Sequence, residues 1–495
     1  MAVPSRVQGV IMATSDLLWK LGDIIFLINL ILVLVVVVFE RRNPTATLTW
    51  ILLLVFIPVL GFLFYVFLGQ NLRREKRFHL KEEEERKLRP LLARQDASLH
   101  ENRLVFNDVR TRKYQELIHL HLKSSHSLLT QDNQVEVFDH GPELFERMLA
   151  SMKQARSYIH MEYFIIRNDS LGRQIMETLA EKARQGVEVK LLYDGMGCIR
   201  LTRRFFRELH QAGGQTAVFF PPFLPHINLR INFRNHRKIC IIDGEEAYVG
   251  GFNIGDEYRG ISSRFEYWRD THLSIKGGAV DALQLRFLLD WRFATRDPLL
   301  GKDKYFPERQ AQGNSAVQIV SSGPDLTYPV IKYGFLGLIS QARRNIYIQT
   351  PYLVPDDSIL EALKIAALSG VDVRVMIPYK ADHFYVHWAS LSYLGELLEA
   401  GVRCYMYKRG FLHSKVVVTD GFASSVGTAN LDIRSFNLNF EVNAFVYDQQ
   451  IGSRLEEQFV RDLDDCIEVT QEAYRGRSFF VRFKEGFFRL LSPIL

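Results

Sequence analysis

The sequence predicts a duplicated α/β protein preceded by a two-helix membrane hairpin. Three observations lead to this fold class. One seven-position pattern occurs twice, with its histidines at 236 and 413. The order of apparent strands and helices around the first copy recurs around the second, which indicates an internal duplication of a large α/β unit. Two long apolar runs occupy the first 72 residues. At 495 residues the chain is long enough for two or three domains.

The apolar runs predict the hairpin. Residues 24–39 carry no charge, and neither do residues 43–72. The second run is long enough to span a bilayer, and the first is long enough once Leu21–Asp23 lie at its boundary. A short polar connection, Glu40–Pro44, joins them. A secretory signal peptide does not fit, because the first run lacks a small-residue cleavage site and the second follows at once. We expect Pro58 to kink the second helix.

Basic residues flank the outer ends of the hairpin more than its connection. The connection contains only Arg41 and Arg42. The basic residues outside it are Arg6, Lys20, Arg73, Arg74, Lys76 and Arg77. The positive-inside rule then places both ends in the cytoplasm. The sequence therefore predicts a multi-pass protein of the cell membrane with a cytoplasmic catalytic part.

Composition narrows the function classes. The net charge of +6 is spread along the chain. It suits an anionic substrate or an anionic bilayer and does not indicate nucleic acid. The four cysteines lie far apart without a CxxC, so neither a disulfide framework nor a cysteine zinc site is expected. The histidines show no metal-ligand spacing, and we expect neither a metal nor another cofactor.

Composition also suggests the domain boundaries. After the hairpin (1–70), residues 71–130 are rich in charge and contain no glycine, which favours a helical connector. The first catalytic half is expected over 131–310 and the second over 311–495. The last segment, from Tyr474, is basic and aromatic; it is either a helix on an anionic membrane surface or an ordinary helix packed on the domain.

Repeated strand and helix patterns define the two halves. Residues 158–165 are typical of a buried strand, 171–185 of an amphipathic helix that stops at Gly186, and 187–193 of the next strand. Similar stretches at 342–348 and 369–375 follow the same order in the second half. Each half is therefore expected to hold a mixed sheet flanked by helices.

The duplicated pattern carries the candidate site. His-x-Lys is followed by Asp-Gly, a further Gly and an Asn. Its two copies are His236, Lys238, Asp243, Gly250 and Asn253, and His413, Lys415, Asp420, Gly427 and Asn430. In a strand, residues two apart share a face, so each His and Lys point the same way. Each Asp lies seven residues after its His and is expected on the other face, where it fixes the turn.

These residue types suit phosphoryl chemistry. Two ammonium groups stabilise the charge of a phosphodiester and of its transition state. An imidazole can serve as nucleophile or as general acid near neutral pH. Asn253 and Asn430 offer amide donors, and Gly250 and Gly427 permit close backbone approach. Asp270 and Glu441 follow the two motifs on apparent strands; either they fix the histidine tautomers or they are ordinary strand-edge carboxylates.

These residues resemble the signature of the phospholipase D superfamily, and nearly the whole chain is similar to bacterial cardiolipin synthases. The similarity includes 234–238, 250–258, 411–415 and the ending 489–493. It implies two phospholipase D-like halves with a pseudo-twofold active site, which condense two phosphatidylglycerol molecules into cardiolipin and glycerol. It further implies that His236 is the nucleophile, that His413 is the acid and base, and that Lys238, Lys415, Asn253 and Asn430 hold the phosphate.

Other functions share part of this chemistry. A membrane-bound phospholipase D or other phosphodiesterase would use water, and a related transferase would use serine or phosphatidylethanolamine. The apolar loop Phe219–Pro225 either touches the bilayer, which favours a lipid acceptor, or is a buried turn. A membrane scaffold with an inactive site is disfavoured because both histidines and both lysines are present.

Overall fold

Alternating strands and helices make up most of the chain in a computed structural model. It describes residues 20–34, 44–68, 82–220, 232–261, 264–297, 303–380, 382–490 and 492. The chain divides into two compact units. The first contains the described residues up to Leu68, and the second contains nearly all of those from Glu82 onward.

The first unit is helical. Its helices are α1 (described over 20–34), α2 (Pro44–Phe56) and α3 (Pro58–Leu68). The expected kink is a division into two helices, because Pro58 lacks an N–H and disfavours a helical conformation at Ile57. The Asn29 side chain donates to the Pro58 carbonyl at 2.8 Å, so α1 contacts this break. Among the described residues, no helix combines the length and apolarity needed to cross a membrane. The predicted hairpin connection, 40–44, lies almost wholly outside them.

The second unit is a mixed α/β structure. Its strands are β1 (Leu129–Phe138), β2 (Tyr158–Tyr163), β3 (Glu188–Asp194), β4 (Gln215–Phe219), β5 (Arg234–Asn235), β6 (Lys238–Ile242), β7 (Glu246–Gly250), β8 (Trp268–Arg269), β9 (His272–Lys276), β10 (Ser315–Ser322), β11 (Asn345–Gln349), β12 (Leu353–Val354), β13 (Asp372–Pro378), β14 (Arg403–Tyr407), β15 (Phe411–Leu412), β16 (Val416–Thr419), β17 (Ala423–Gly427), β18 (Leu431–Asp432), β19 (Asn439–Tyr447) and β20 (Cys466–Val469). Its helices are α4 (Glu82–His100), α5 (Gln115–Ser125), α6 (Gly141–Gln154), α7 (Ser170–Arg184), α8 (Arg207–Gln211), α9 (Ala279–Thr295), α10 (Val330–Gln341), α11 (Asp357–Leu368), α12 (Phe384–Glu399), α13 (Ile433–Asn437), α14 (Gln449–Asp462), α15 (Gln471–Arg475) and α16 (Phe479–Arg489).

Strand order demonstrates the duplication. The first half runs β1-β9-β7-β6-β2-β3-β4, and the second runs β10-β19-β17-β16-β11-β13-β14, with β20 added at its edge. The strands β2, β3 and β4 of the first half are parallel to one another, as are β11, β13 and β14 of the second, and the other neighbouring strands, including β20 beside β14, pair antiparallel. The halves join through antiparallel pairing of β1 with β10. The predicted pair of mixed α/β halves is confirmed.

Each half has its own hydrophobic core between sheet and helices. In the first half, Met148 on α6 and Leu179 on α7 pack with Ile159 and Leu191 of the sheet. The second core includes residues of α5, such as Ile118. The end of the predicted connector therefore packs within the catalytic unit, because α5 collects apolar side chains on one face.

The loop after β4 begins inside the protein. Phe219 and Phe220 are both buried. Their rings lie 5.0 Å and 5.5 Å from the ring of Phe293. Phe219, the last residue of β4, and Phe220 are therefore part of the protein interior, and the rest of the predicted apolar loop, 221–225, lies outside the described residues.

Candidate active site

A tight hairpin follows each His-x-Lys unit. Asp243 and Gly244 have φ of 54° and 71°, and Asp420 and Gly421 have φ of 53° and 62°. Two successive residues of positive φ are the geometry of a type I′ turn, which Asp-Gly adopts readily. The turns connect β6 to β7 and β16 to β17 in register, with Ile242 opposite Glu246 and Thr419 opposite Ala423.

The two turn aspartates bind backbone, away from the histidines. Asp243 accepts hydrogen bonds from the backbone N–H groups of residues 156–158 at 2.7–2.8 Å. Asp420 accepts from those of residues 343–345, and from Lys113 Nζ at 2.7 Å. Each carboxylate thereby ties its hairpin to the start of the neighbouring strand, β2 or β11, which pairs with the hairpin in the antiparallel direction. This placement agrees with the odd spacing from each histidine.

Short strand pairings bring the halves together at the histidines. β5, just before His236, pairs in parallel with the start of β19, and the His236 N–H donates to the Phe440 carbonyl at 2.9 Å. β15, just before His413, pairs in parallel with β8, and the His413 N–H donates to the Arg269 carbonyl at 2.7 Å. The residue after each of those carbonyls is a carboxylate. Each histidine of one half therefore faces an acid of the other half.

The resulting pairs are buried. His236 Nδ1 lies 2.9 Å from Glu441 Oε2, and His413 Nδ1 lies 2.5 Å from Asp270 Oδ2. Both carboxylates are fully buried, and both histidines are 8% exposed. Because a carboxylate only accepts, each Nδ1 carries the proton and each Nε2 is left to act on a substrate. Asp270 and Glu441 thus make the contacts that are needed to fix the tautomers of the two histidines.

Burial governs the protonation of the two histidines. It lowers the pKa of His236 to about 4, against the opposing charge of Glu441. Burial and the Lys415 ammonium lower the pKa of His413 to about 4, against the opposing charge of Asp270. Without a bound anion, both imidazoles are therefore neutral at pH 7. An anionic phosphodiester between them would raise both pKa values.

The two lysines are also buried, and their charges act on the two histidines. Burial lowers the pKa of Lys238 to about 7 and that of Lys415 to about 8. Each ammonium also acts on the histidine of the other half, lowering its pKa. Lys238 Nζ donates to the His236 carbonyl at 2.6 Å, and Lys415 Nζ donates to that of His413. At pH 7 Lys415 is therefore mostly charged and Lys238 about half charged, and an entering anion would raise the pKa values of all four groups.

The two asparagines have different surroundings. Asn253 Oδ1 accepts from the Ile165 N–H at 3.1 Å, and its Nδ2 donates to the Tyr258 hydroxyl at 3.3 Å. Asn430 Nδ2 donates to Asp432 at 3.0 Å, and within the described part of the chain its Oδ1 has no partner. Each Nδ2 has a second N–H, which can serve a phosphate oxygen.

The two motif glycines allow the strands to carry the acids close to the hairpins. A Cβ on Gly250 would lie 2.5 Å from the Cα of His272, two residues after Asp270. A Cβ on Gly427 would lie 2.4 Å from the Val442 carbonyl oxygen, next to Glu441. Any larger residue would therefore push β9 or β19 away from its hairpin.

Two buried arginines support the carboxylates, and motif comparison missed both. Arg237 Nε donates to the Glu441 carbonyl at 3.2 Å, and its Nη1 pairs with Asp290 at 2.7 Å. Arg269 Nη1 donates to the Asp270 carbonyl at 2.6 Å, and its Nε pairs with Asp462 at 2.9 Å. Arg237 lies in the link between β5 and β6, and the available signal for it was a charged residue beside the apolar run 239–242.

Two aromatic residues line the pairs and were also missed. The ring of Phe164 lies 4.9 Å from that of His236, and Lys238 Nζ lies 5.2 Å above it. The ring of Trp268 lies 5.2 Å from that of His413. These apolar walls contribute to the burial that lowers the pKa values. No group of three or more His, Cys, Asp or Glu side chains suited to a metal ion occurs within the described ranges.

Comparison with known proteins identifies the sequence family. The family model described as "Cardiolipin synthase, PLD-like domain" matches residues 148–267 and 335–463. The model described as "Phospholipase_D-nuclease N-terminal" matches residues 27–70. The two matched regions of the first model contain both His-x-Lys units.

Similar full-length proteins support the same assignment. The chain is 48% identical to a cardiolipin synthase of Staphylococcus aureus over 95% of each chain. It is 46% identical to the major cardiolipin synthase ClsA of Bacillus subtilis, over 98% of this chain and 100% of that one. The structure of a phosphatidylserine synthase from Haemophilus influenzae matches with a TM-score of 0.57 at 15% identity, over 78% of this chain and 100% of that one. This last similarity supports the fold.

Proposed function

The chain belongs to the cardiolipin synthases of the phospholipase D superfamily, and we propose that it makes cardiolipin and glycerol from two phosphatidylglycerol molecules through a phosphatidyl intermediate on His236. It is a phospholipid-synthesising enzyme whose substrates lie in the membrane. The observation that carries the proposed mechanism is the exchange of carboxylates between halves. Each histidine has its Nδ1 proton held by a buried acid from the other half, so that two Nε2 atoms serve one site.

The first step transfers the phosphatidyl group to the enzyme. Neutral His236 attacks phosphorus through Nε2, and the bond from phosphorus to the glycerol headgroup oxygen breaks. The phosphodiester anion raises the pKa of His413, which gains a proton and donates it to the departing alkoxide. Lys238 and Lys415 stabilise the charge on the nonbridging oxygens, and Glu441 stabilises the positive charge that develops on His236.

The second step uses a lipid alcohol. His413, neutral again, takes the proton of a headgroup hydroxyl of the second phosphatidylglycerol. That oxygen attacks phosphorus, the bond to His236 Nε2 breaks, and cardiolipin leaves. Both imidazoles regain their starting state, so the cycle consumes no other reactant.

An assay of purified enzyme reconstituted with labelled phosphatidylglycerol in EDTA tests this function. We expect cardiolipin and glycerol in equal amounts; phosphatidic acid alone would mean that water is the acceptor. His236→Ala should abolish both transfer and hydrolysis, because no covalent intermediate can form. His119→Ala is the matched control, since His119 pairs with Asp96 elsewhere in the unit. Activity above a trace in His236→Ala would refute the covalent role.

We propose in addition that the N-terminal segments 24–39 and 43–72 cross the membrane as a hairpin, with the catalytic unit in the cytoplasm. The match of residues 27–70 to an N-terminal family model and the contact of Asn29 with Pro58 support it. Single cysteines placed at 41 and at Leu368 test the topology. In intact cells, an impermeant maleimide should label the first and not the second.

A further inference from the structure

We propose that α16 is a second membrane contact, which lays a row of phenylalanines onto an anionic bilayer surface beside the active site. The inference rests on the proposed function only in that the substrate lies in that bilayer. The row consists of Phe480, Phe483, Phe487 and Leu490, with Phe479 at its edge.

The orientation of α16 is the reverse of that expected for a helix packed on a domain. Its row of phenylalanines points outward, with Phe480, Phe483 and Phe487 exposed by 75%, 62% and 51%. Its inward face presents Glu485, which is 4% exposed and pairs with Arg477 at 2.5 Å. At 100° per residue, Glu485 lies opposite Phe483 and Phe487. A water-facing helix normally exposes its acid and buries its phenylalanines.

Charge identifies the partner. Residues 474–490 contain five Lys or Arg and one acid. Arg477 pairs with Glu485 and Arg489 with Glu396 of α12, so the excess of positive charge comes from Arg475, Arg482 and Lys484. Lys484 and Arg482 flank the row on its two sides. An apolar stripe of aromatic residues with basic residues along its margins is the pattern of helices that lie in the interface of anionic lipid bilayers. A protein partner of neutral character would not use these flanking charges.

The row lies close to the catalytic site. Phe488 on the flank of α16 meets Phe384, the first residue of α12, with ring centroids 5.6 Å apart. Phe384 is itself 65% exposed. Two residues before it, Asp382 is near enough to Lys415 to raise the pKa of that lysine. The helix that carries the row therefore packs against the start of α12, which follows by two residues a carboxylate that acts on Lys415.

Spin labelling of the full-length enzyme in vesicles tests the contact. Phe483→Cys, in a Cys466→Ser background, carries the label; Leu368→Cys is the control, because Leu368 is an apolar side chain, 73% exposed, at the last position of another helix, α11. In vesicles rich in anionic lipid, we expect position 483 to be accessible to oxygen and at least about fivefold less accessible than position 368 to a water-soluble nickel chelate. Equal nickel accessibility at both positions would refute the proposal. Protection at 483 that does not depend on the fraction of anionic lipid in the vesicles would also refute it, since the basic residues beside the row would then have no role.

An activity measurement separates this proposal from the proposed function. The variant with Phe480→Ser, Phe483→Ser and Phe487→Ser should lose about tenfold activity on phosphatidylglycerol in vesicles and keep wild-type activity in detergent micelles. Equal activity of variant and wild type on vesicles would overturn the membrane contact. Failure of the wild type to make cardiolipin in micelles would overturn the proposed function and leave the labelling result intact.

Discussion

The exchanged carboxylates make a prediction about which histidine attacks phosphorus. Asp270→Asn alters the partner of His413, and Glu441→Gln alters the partner of His236. Each change keeps the shape of the side chain, replaces one carboxylate oxygen by an NH2 group and removes the negative charge. If His236 is the nucleophile and His413 the acid, the two variants should respond differently to the leaving group.

The magnitude follows from the geometry. With Nδ1 and Oδ2 2.5 Å apart, the centres of charge of an imidazolium and a carboxylate are about 4 Å apart, which gives about 4 kcal/mol at an effective dielectric of about 20. Each variant should therefore slow cardiolipin synthesis by about a thousandfold. The pKa of His413 would fall further in Asp270→Asn, which makes the protonated acid scarcer.

The assay uses a p-nitrophenyl ester of phosphatidic acid beside phosphatidylglycerol. The p-nitrophenolate leaves without a proton, so Asp270→Asn should retain the initial burst of p-nitrophenol within about tenfold of wild type. Glu441→Gln should remain about a thousandfold slower with both substrates, because attack by His236 still develops the charge that Glu441 stabilises. Wild-type enzyme and His119→Ala serve as controls. The opposite pattern would refute the assignment and make His413 the nucleophile, and equal recovery of both variants would refute the division of roles.

Further predictions concern the frame of the site and its pH dependence. Gly250→Ala should destabilise the protein by about 1–3 kcal/mol in thermal unfolding, because its Cβ would lie 2.5 Å from a Cα of β9; Gly486→Ala, with nothing within 4 Å of its Cβ, is the control, and equal stability of the two would contradict the packing argument. Asp243→Ala should lower the free energy of unfolding by about 1–3 kcal/mol, since it leaves backbone N–H groups unpaired, while the folded enzyme keeps its kcat; loss of kcat at unchanged stability would contradict its structural role. The kcat/KM should fall above pH 7 to 8, because burial lowers the pKa of Lys238 to about 7 and that of Lys415 to about 8, so the charges that attract phosphate are lost as pH rises. A profile that stays flat to about pH 10, the ordinary range of lysine, would contradict this.

Short-range sequence patterns were sufficient to predict the two halves and the hairpin in each of them. The Asp-Gly turns, the alternation that puts His236 and Lys238 on one face, and the opposite placement of Asp243 all depend on residues within eight positions of each other. The repeat order of strands and helices gave the duplication, because each half contains the same supersecondary units. Pro58 was expected to kink the second helix, and the structure has a bend at Ile57 between α2 and α3, across which the Ile57 N–H still donates to the Leu53 carbonyl and the Gly61 N–H to the Ile57 carbonyl.

The pairs of residues that meet across the two halves could be assigned only from the tertiary structure. His236 meets Glu441, 205 positions away, because two-residue strands pair β5 with β19. Pairings of that length have no sequence pattern of their own, so Asp270 and Glu441 could be identified as candidates but not assigned to a histidine. The outward row on α16 is a similar case. Its composition suggested a membrane surface, and only the packing of Glu485 distinguishes that from an ordinary buried helix.

The buried arginines Arg237 and Arg269 have equivalent roles in the two halves, although they do not occupy equivalent positions in the repeated sequence. Asp270 and Glu441, the partners of the two histidines, each have their backbone carbonyl held by an arginine. Arg237 pairs with Asp290 on α9, and Arg269 pairs with Asp462 on α14. One arginine lies between the catalytic His and Lys, as Arg237, where the second half has Ser414. The other lies before the carboxylate, as Arg269, where the second half has Phe440. Both arginines come from the first half, so alignment of the two halves conceals them.

This arrangement makes the halves interdependent. A half alone would hold its His-Lys pair without an acid at Nδ1, and its own acid would have no histidine to pair with. The site therefore forms only when β5 meets β19 and β8 meets β15, and folding of the interface and assembly of the catalytic group are one event. Two identical halves about a twofold axis would meet the same requirement. When the two halves are joined in one chain, the arginines that support the carboxylates can differ between them. The two histidines can then take different roles, one as nucleophile and the other as acid and base.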